Sequence, residues 1–384
     1  MVWRIRVTII HTLHDYRNKM IKTTAINVTG NPAFSVIWDT GLRCNLDCTY
    51  CSASRHNNYS PHTPLTNFIK TFNFIEQWTN IYNSKRKTPL PTAINFTGGE
   101  PTVNPGLWKL ASYIKSRPGK FYLGLTTNGV IGKKYLNTVI TNFDAVTVSY
   151  HAETTKSAKR KIIENIYTLH QAGINVQVNV MLHMDHWDEC VSVYNELKSN
   201  GINCKPRPIG DGAVAQKTWY VDSDGNNRRS DHTYTPAQLE WFWNENGIKN
   251  KSTTGAGGGQ VGRACCGGTC LEGKVEGTWQ PIKLVNTEFK DWHCMVDWYF
   301  LYIAQHKNEV YHHQSCKALH GKKIGPIGTL DDTDKIIEDL TMRFSQPTIE
   351  HIVCPKTRCA CGMCAPKAES LDDFEYIQKS LLNL

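Results

Sequence analysis

No apolar run in the 384-residue chain approaches the ~20 residues that a membrane-crossing helix needs, so no membrane partner is expected. A secretory start is missing too. "MVWRIRVTII" carries Arg4 and Arg6 inside its apolar stretch and shows no small-residue cleavage site, and the expected location is cytoplasmic. The C-terminal half has no internal repeat, and no recognisable RNA-binding module is present anywhere. The formal net charge of +9 nevertheless leaves a polyanionic partner open. The densest basic run, "KSAKRK" at 156–161, stands at the start of a predicted helix and reads first as a solvated helix face.

What the chain has in unusual number is cysteine, with fourteen. In a reducing compartment these are not expected to be disulfides, and clustered ones read as ligands to a metal or an inorganic cluster. Cys190 and Cys204 stand alone and read as small buried hydrophobes. The rest fall into groups.

Between residues 34 and 210 strands and helices alternate. "FSVIWDT" (34–40), "TAINFTGGEP" (92–101, ending in a glycine turn), "FYLGLTTNG" (121–129), "DAVTVSYHAE" (144–153, with "SYHAE" as its end), "INVQVNVMLH" (174–183) and "INCKPRPIG" (202–210) have strand character. The segments 67–82, 106–116, 133–142, 158–173 and 186–201 carry helical spacing. Repeated β-α units with Val-, Ile- and aromatic-rich strands predict an α/β fold with a parallel sheet, a partial (β/α)6 TIM-like barrel. Residues 1–33 are then an N-terminal extension and 34–210 the core. Residues 211–384 form a cysteine-rich C-terminal extension, closed by a helix within 369–384.

The loop after the first strand, "GLRCNLDCTYCSAS", spaces Cys44, Cys48 and Cys51 as C-x3-C-x2-C. Three thiolates at short spacing suit zinc or an iron–sulfur cluster. A zinc site would borrow His56 or a distant cysteine as its fourth ligand. A cubane cluster would instead leave one iron without a protein ligand. The loop alone permits both.

"TGGEP" (97–101) follows the second strand and so falls on the same end of the sheet. With both motifs in this order, residues 34–210 resemble the radical S-adenosylmethionine (radical SAM) superfamily. Its members place an aromatic before the last loop cysteine, here Tyr50, and a "GGEP" turn, here Gly98, Gly99, Glu100 and Pro101. The resemblance implies that Cys44, Cys48 and Cys51 hold a [4Fe-4S] cluster and that S-adenosylmethionine chelates the open iron. It also implies that Glu100 and the turn's carbonyls accept hydrogen bonds from the cofactor's amino group, and that an external reductant such as flavodoxin or ferredoxin supplies the electron. Further cofactor contacts are expected from Ser149, His151, Asn179 and Arg207, with Ile209 beside Arg207; each of these also has a plain barrel-packing alternative. "TTNG" (126–129) matches a turn common in the family.

The extension resembles the auxiliary-cluster regions called SPASM and twitch domains. A predicted hairpin turning at "KNE" lies between Cys294 and Cys316, and "CPKTRCACGMC" supplies Cys354, Cys359, Cys361 and Cys364. At least one auxiliary [4Fe-4S] cluster is therefore expected from these six cysteines; a zinc knuckle from the last four is the alternative. Their spacing departs from the usual SPASM pattern, and Cys265, Cys266 and Cys270 remain unassigned. The expected activity is reductive cleavage of S-adenosylmethionine and hydrogen abstraction from a substrate, first a peptide or protein. Modification of a nucleotide or nucleic acid is the alternative, and a non-enzymatic zinc-binding protein the last.

Overall fold

Two-residue alternation of buried and half-buried positions along four of six parallel strands builds the centre of this molecule. A computed structural model describes residues 23–24, 33–51, 56–209, 218–221, 227–230, 234–245, 290–312, 325–345, 352–354 and 367–383. The six strands are β1 (Phe34–Asp39), β2 (Thr92–Thr97), β3 (Phe121–Thr127), β4 (Ala145–His151), β5 (Asn175–Leu182) and β6 (Asn203–Pro208). Each pairs in parallel with the next. Helices α1 (Leu65–Ser84), α2 (Pro105–Lys115), α3 (Lys133–Asn142), α4 (Lys156–Gln171) and α5 (Trp187–Ser199) fill the connections. The expected α/β fold is present, with the first strand-to-strand units in the expected order.

Val36, Ile94, Leu123, Val146 and Val178 share one core with Phe72 and Ile75 of α1, Leu110 and Ile114 of α2, and Ile166 and Leu169 of α4. The alternate positions, Asn95, Thr126, Thr147, Ser149, Gln177 and Asn179, are polar and only half-buried. A parallel sheet covered on both sides normally has near-continuous apolar strands. Here one face is left hydrophilic, as it must be if that face holds a polar ligand rather than a second helix layer.

The open edge of β1 is closed by a distant part of the chain. Strand β7 (Phe300–Ala304) lies parallel to β1, with Phe300 opposite Ser35 and Ala304 opposite Asp39. Strands β8 (Glu309–Tyr311) and β9 (Gly328–Thr329) add antiparallel beyond it, so the sheet runs β9-β8-β7-β1-β2-β3-β4-β5-β6. Strands from residues 211–384 thus extend the sheet formed by residues 34–210. The β7–β8 connection needs no glycine because Asn308 takes the left-handed conformation (φ 59°), which asparagine tolerates better than most residues. Ile37, Tyr302, Ala304 and Tyr311 form a small separate apolar cluster there.

Helices α6 (Pro236–Glu245), α7 (Thr333–Ser345) and α8 (Leu371–Leu381) come from the C-terminal region. Tyr82 of α1 meets Trp298 and Phe344 of α7 edge-on, with ring centroids 4.9 and 5.0 Å apart, a preferred aromatic geometry. A small antiparallel sheet joins Thr23–Thr24, Lys367–Ala368, His293–Cys294 and Ile352–Val353. The basic run at 156–161 opens α4, where Lys159 pairs with Glu189 at 2.7 Å and Arg160 with Glu164 at 3.8 Å, as a solvated helix face does.

Asp297, beneath the aromatic triad, is 1% exposed. Tyr82 donates to its Oδ2 at 3.4 Å, and Arg343 lies 3.7 Å away, with the half-buried His312 near that guanidinium. Burial pushes this carboxyl from 3.8 up to about 6, with Arg343 opposing. A raised carboxyl contributes stability fully present below its unfolded pKa and lost as pH rises through the folded one. The loss amounts to about 3 kcal/mol when ionisation is complete. Asp297→Asn is thus expected to gain apparent Tm relative to wild type as the pH rises through about 6; thermal melts across that interval check it.

Candidate functional site

Parallel sheets collect their functional loops at the C-terminal ends of the strands. Here two of those loops are laced together by backbone alone. Gly99 N donates to Gly41 O at 2.7 Å and Glu100 N to Arg43 O at 2.8 Å. Within the cysteine loop, Asn57 N reaches Leu42 O at 2.8 Å and Cys44 N reaches Asn57 O at 2.7 Å. The approach is too close for side chains. A Cβ on Gly99 would lie 2.4 Å from Leu42 O and 2.6 Å from Arg43 O, and Gly98 has φ +137°, a conformation that other residues rarely adopt.

Glu100, 2% exposed, holds the turn in place. Its Oε1 accepts from Thr102 N (3.0 Å), Thr102 Oγ1 (2.6 Å) and Thr127 Oγ1 (2.8 Å), and Oε2 accepts from Asn128 N (2.6 Å). Burial raises its pKa, and these donors work against that shift. The carboxylate thus braces the β2 turn against the end of β3, and Pro101 begins the short 3-10 helix that Glu100 caps. Asn128 extends the brace: its Nδ2 donates to Asn45 Oδ1 at 2.7 Å and approaches Cys44 Sγ at 3.9 Å.

A second carboxylate holds the other side of the loop. Glu153, just past β4, accepts from Thr49 N at 2.9 Å and from Thr49 Oγ1 at 2.8 Å. His183, at the end of β5, places Nε2 3.6 Å from Glu153 Oε2 and accepts from Asp185 N at 3.3 Å. Tyr50 stacks on His151 (5.8 Å, 27°), and its hydroxyl is hydrogen-bonded to His151 Nδ1. Burial drives the Tyr50 phenol well above its usual range and lowers His151 to about 4, so both are neutral and the phenol donates.

The sequence-predicted residues divide into two sets. Cys44, Cys48, Tyr50, Cys51, Gly98–Pro101 and His151 converge at this end of the sheet. Ser149 and Asn179 face each other in the β4–β5 register on the polar face, and Arg207 Nε donates to Asn179 Oδ1 at 3.2 Å. Ile209 is buried, with its N–H on Tyr234 Oη at 2.8 Å. Cys190 is buried as expected, whereas Cys204 is only half-buried. Glu153, Asn128 and His183 were not singled out by sequence. Glu153 lies inside the quoted strand end "SYHAE", and a carboxylate directly after a sheet strand was the available signal.

The three loop thiols are near neighbours. Burial pushes Cys44 up to about 11, with the charges of Glu100 and Cys51 adding to it. Cys48 is raised further, by burial first and then by Glu153, Cys51 and Cys44. Such thiols become thiolates only against a cation. Among the described residues, no three His, Cys, Asp or Glu side chains converge on a single point as one metal ion requires. Three thiols on one short loop suit a polynuclear cluster, in which each sulfur binds its own iron. A cavity of about 230 Å³ adjoins Cys48, with Asn45, Leu46, Asp47, Glu153, Thr154 and Thr155 as its other lining residues.

In the extension, Cys294 stands opposite Ile352, two residues before Cys354, which puts both cysteines on one face of the antiparallel ribbon. Both are buried. Cys265, Cys266, Cys270, Cys316, Cys359, Cys361 and Cys364 lie outside the described residues.

The backbone contact at Gly99 makes a direct prediction. Gly99→Ala forces the cysteine loop outward, at a cost of roughly 1–3 kcal/mol as for other overpacked sites. Iron retained after anaerobic reconstitution and gel filtration is expected to fall below that of wild type.

Residues 38–197 match the family model described as the Radical SAM superfamily. Among curated proteins the chain is similar to the GTP 3',8-cyclase of Clostridium perfringens (strain SM101 / Type A), 26% identical over 185 residues, 44% of this chain and 54% of that protein. It is also similar to an S-adenosylmethionine-dependent nucleotide dehydratase of Selenomonas ruminantium, 30% identical over 97 residues, 25% of this chain and 30% of that protein. The chain spans about half the length of the first of these relatives. Among solved structures it is similar to native anSMEcpe with bound AdoMet and Kp18Cys peptide, with TM-score 0.46 and 16% identity over 80% of each chain. Streptococcus suis SuiB gives TM-score 0.46 and 11% identity over 81% of this chain and 67% of that one. Domains of this superfamily hold a [4Fe-4S] cluster and S-adenosylmethionine, and the donor set at Cys44, Cys48 and Cys51 suits the former. Residues 38–197 thus form a radical SAM family-model domain.

Proposed function

We propose that this chain is an enzyme that reductively cleaves S-adenosylmethionine and uses the resulting radical to abstract hydrogen from a substrate. The observation that carries this is the backbone lacing of the Cys44–Cys51 loop to the Gly98–Glu100 turn. It brings the three-cysteine loop and the glycine turn to one place. Cys44, Cys48 and Cys51 would hold three irons of the cluster. When bound, the cluster supplies one electron and an open iron for the amino and carboxylate groups of S-adenosylmethionine.

This chain's residues do the positioning. Glu100 keeps the turn rigid through its four donors, so the cofactor meets a preorganised surface. The neutral Tyr50–His151 pair walls the loop with a stacked, polar-edged surface that carries no competing charge. Ser149, Asn179 and Arg207 present hydrogen-bonding groups on the half-buried face of β4–β6, suited to a ribose or a carboxylate. The electron would come from an external protein such as flavodoxin or ferredoxin.

The substrate we favour is a peptide or protein. The cysteine-rich extension supports this, since it resembles auxiliary-cluster regions found in peptide-modifying enzymes, and Cys294 and Cys354 share one face of its ribbon. At least one auxiliary [4Fe-4S] cluster is part of this proposal. A nucleotide substrate is the second reading, favoured by the names of the curated relatives and the net charge of +9.

Anaerobic reconstitution followed by reductant and S-adenosylmethionine is expected to release 5'-deoxyadenosine. Cys48→Ala is expected to abolish that product and remove about four irons per chain. Stoichiometric zinc with no cleavage would sink the proposal. Salt-dependent binding of nucleotides or RNA, with no turnover of candidate peptides, would move the second reading ahead of the first.

A further inference from the structure

Glu153 holds the cysteine loop by a different contact from the glycine turn. Both of its oxygens go to Thr49, Oε1 accepting from the backbone N at 2.9 Å and Oε2 from Oγ1 at 2.8 Å. Thr49 directly follows Cys48 and stands two residues before Cys51. Two bonds to one residue fix its backbone and its side chain together, and with them the span between those two thiols. The other half of the loop, around Cys44, is fixed by the Glu100 turn and Asn128.

Glu153 also brings charge. Its side chain is 13% exposed, and it lines the same cavity as Cys48. Its ionisable partner is His183 at 3.6 Å, and among the described residues no Lys or Arg lies within ion-pairing distance of it. A poorly screened negative charge beside a cluster opposes the added electron and makes the cluster harder to reduce, and a stronger reductant once reduced. A neutral donor–acceptor at the same position would keep the loop in place without that effect.

We infer that Glu153 is a positioning residue for the Cys48–Cys51 half of the cluster site and that its carboxylate holds the cluster at a more negative reduction potential. This rests on the assignment of a [4Fe-4S] cluster to Cys44, Cys48 and Cys51. The interaction is electrostatic and local, so it is independent of which substrate the enzyme acts on.

The test uses the full chain, reconstituted anaerobically and poised at a series of fixed potentials, with the reduced cluster followed by electron paramagnetic resonance. The signal belonging to the three loop cysteines is the one that Cys48→Ala removes. Glu153→Gln keeps groups able to bond both Thr49 atoms but discards the charge. It is expected to keep wild-type iron and to raise the reduced-to-oxidised ratio about tenfold at a given poise. Glu153→Ala loses the clamp as well and is expected to retain less iron than Glu153→Gln. A Glu153→Gln chain with the wild-type ratio at every poise overturns the inference, as does Glu153→Ala with full iron. If the wild-type chain holds no iron that Cys48→Ala removes, the cluster assignment itself fails instead.

Discussion

The site depends on one contact that leaves no room for a side chain, the meeting of Gly98 and Gly99 with the carbonyls of Gly41, Leu42 and Arg43. Hydrogen bonds from Gly99 and Glu100 join two loops that are more than fifty residues apart in sequence, and the strands below them set their height. Because β1 and β2 pair in register up to Asp39 and Thr97, the loops leave the sheet at the same level. Backbone bonds keep that spacing fixed whatever the exposed side chains of the loop are. Three thiols can then be presented by a loop whose own sequence is polar and short of apolar anchors.

Around that contact the protein uses two carboxylates in different ways. Glu100 is buried, saturated with donors and turned into the structure, where it acts as a brace. Glu153 is nearer the surface and spends both oxygens on the loop itself. A carboxylate tied to four fixed donors cannot rearrange without breaking several bonds at once, which suits an element that must not move. A carboxylate holding a single threonine can sense and influence the charge beside it. The cysteine loop is therefore braced at one end by a buried carboxylate and clamped at the other by one that also brings charge.

Much of this was legible in the sequence. The six strands and five intervening helices were visible because their apolar spacing switches cleanly between periods of two and about 3.6 residues. Cys44, Cys48, Cys51 and Gly98–Pro101 announced themselves by spacing. Part of the role of Glu100 was less visible: its hydrogen bonds to Thr127 and Asn128 reach across strands, which no local motif encodes. Glu153 and His183 were missed for the same reason, since their partners lie on other strand ends. Least visible was β7. Its apolar run looked like half of a hairpin, and nothing in it specifies that its outer edge pairs with a strand more than 250 residues earlier.

That last pairing bears on how the molecule is made. A ribosome releases β1 early, yet its outer edge finds no partner until Phe300–Ala304 has been synthesised. For most of synthesis the first strand is an unpaired edge with a row of open backbone donors and acceptors, the kind of surface that invites wrong pairing. The cysteine loop grows from that same strand. The loop's own contacts, with Gly98–Glu100 and Glu153, all lie within residues 41–153, so they form from chain made long before that edge is covered.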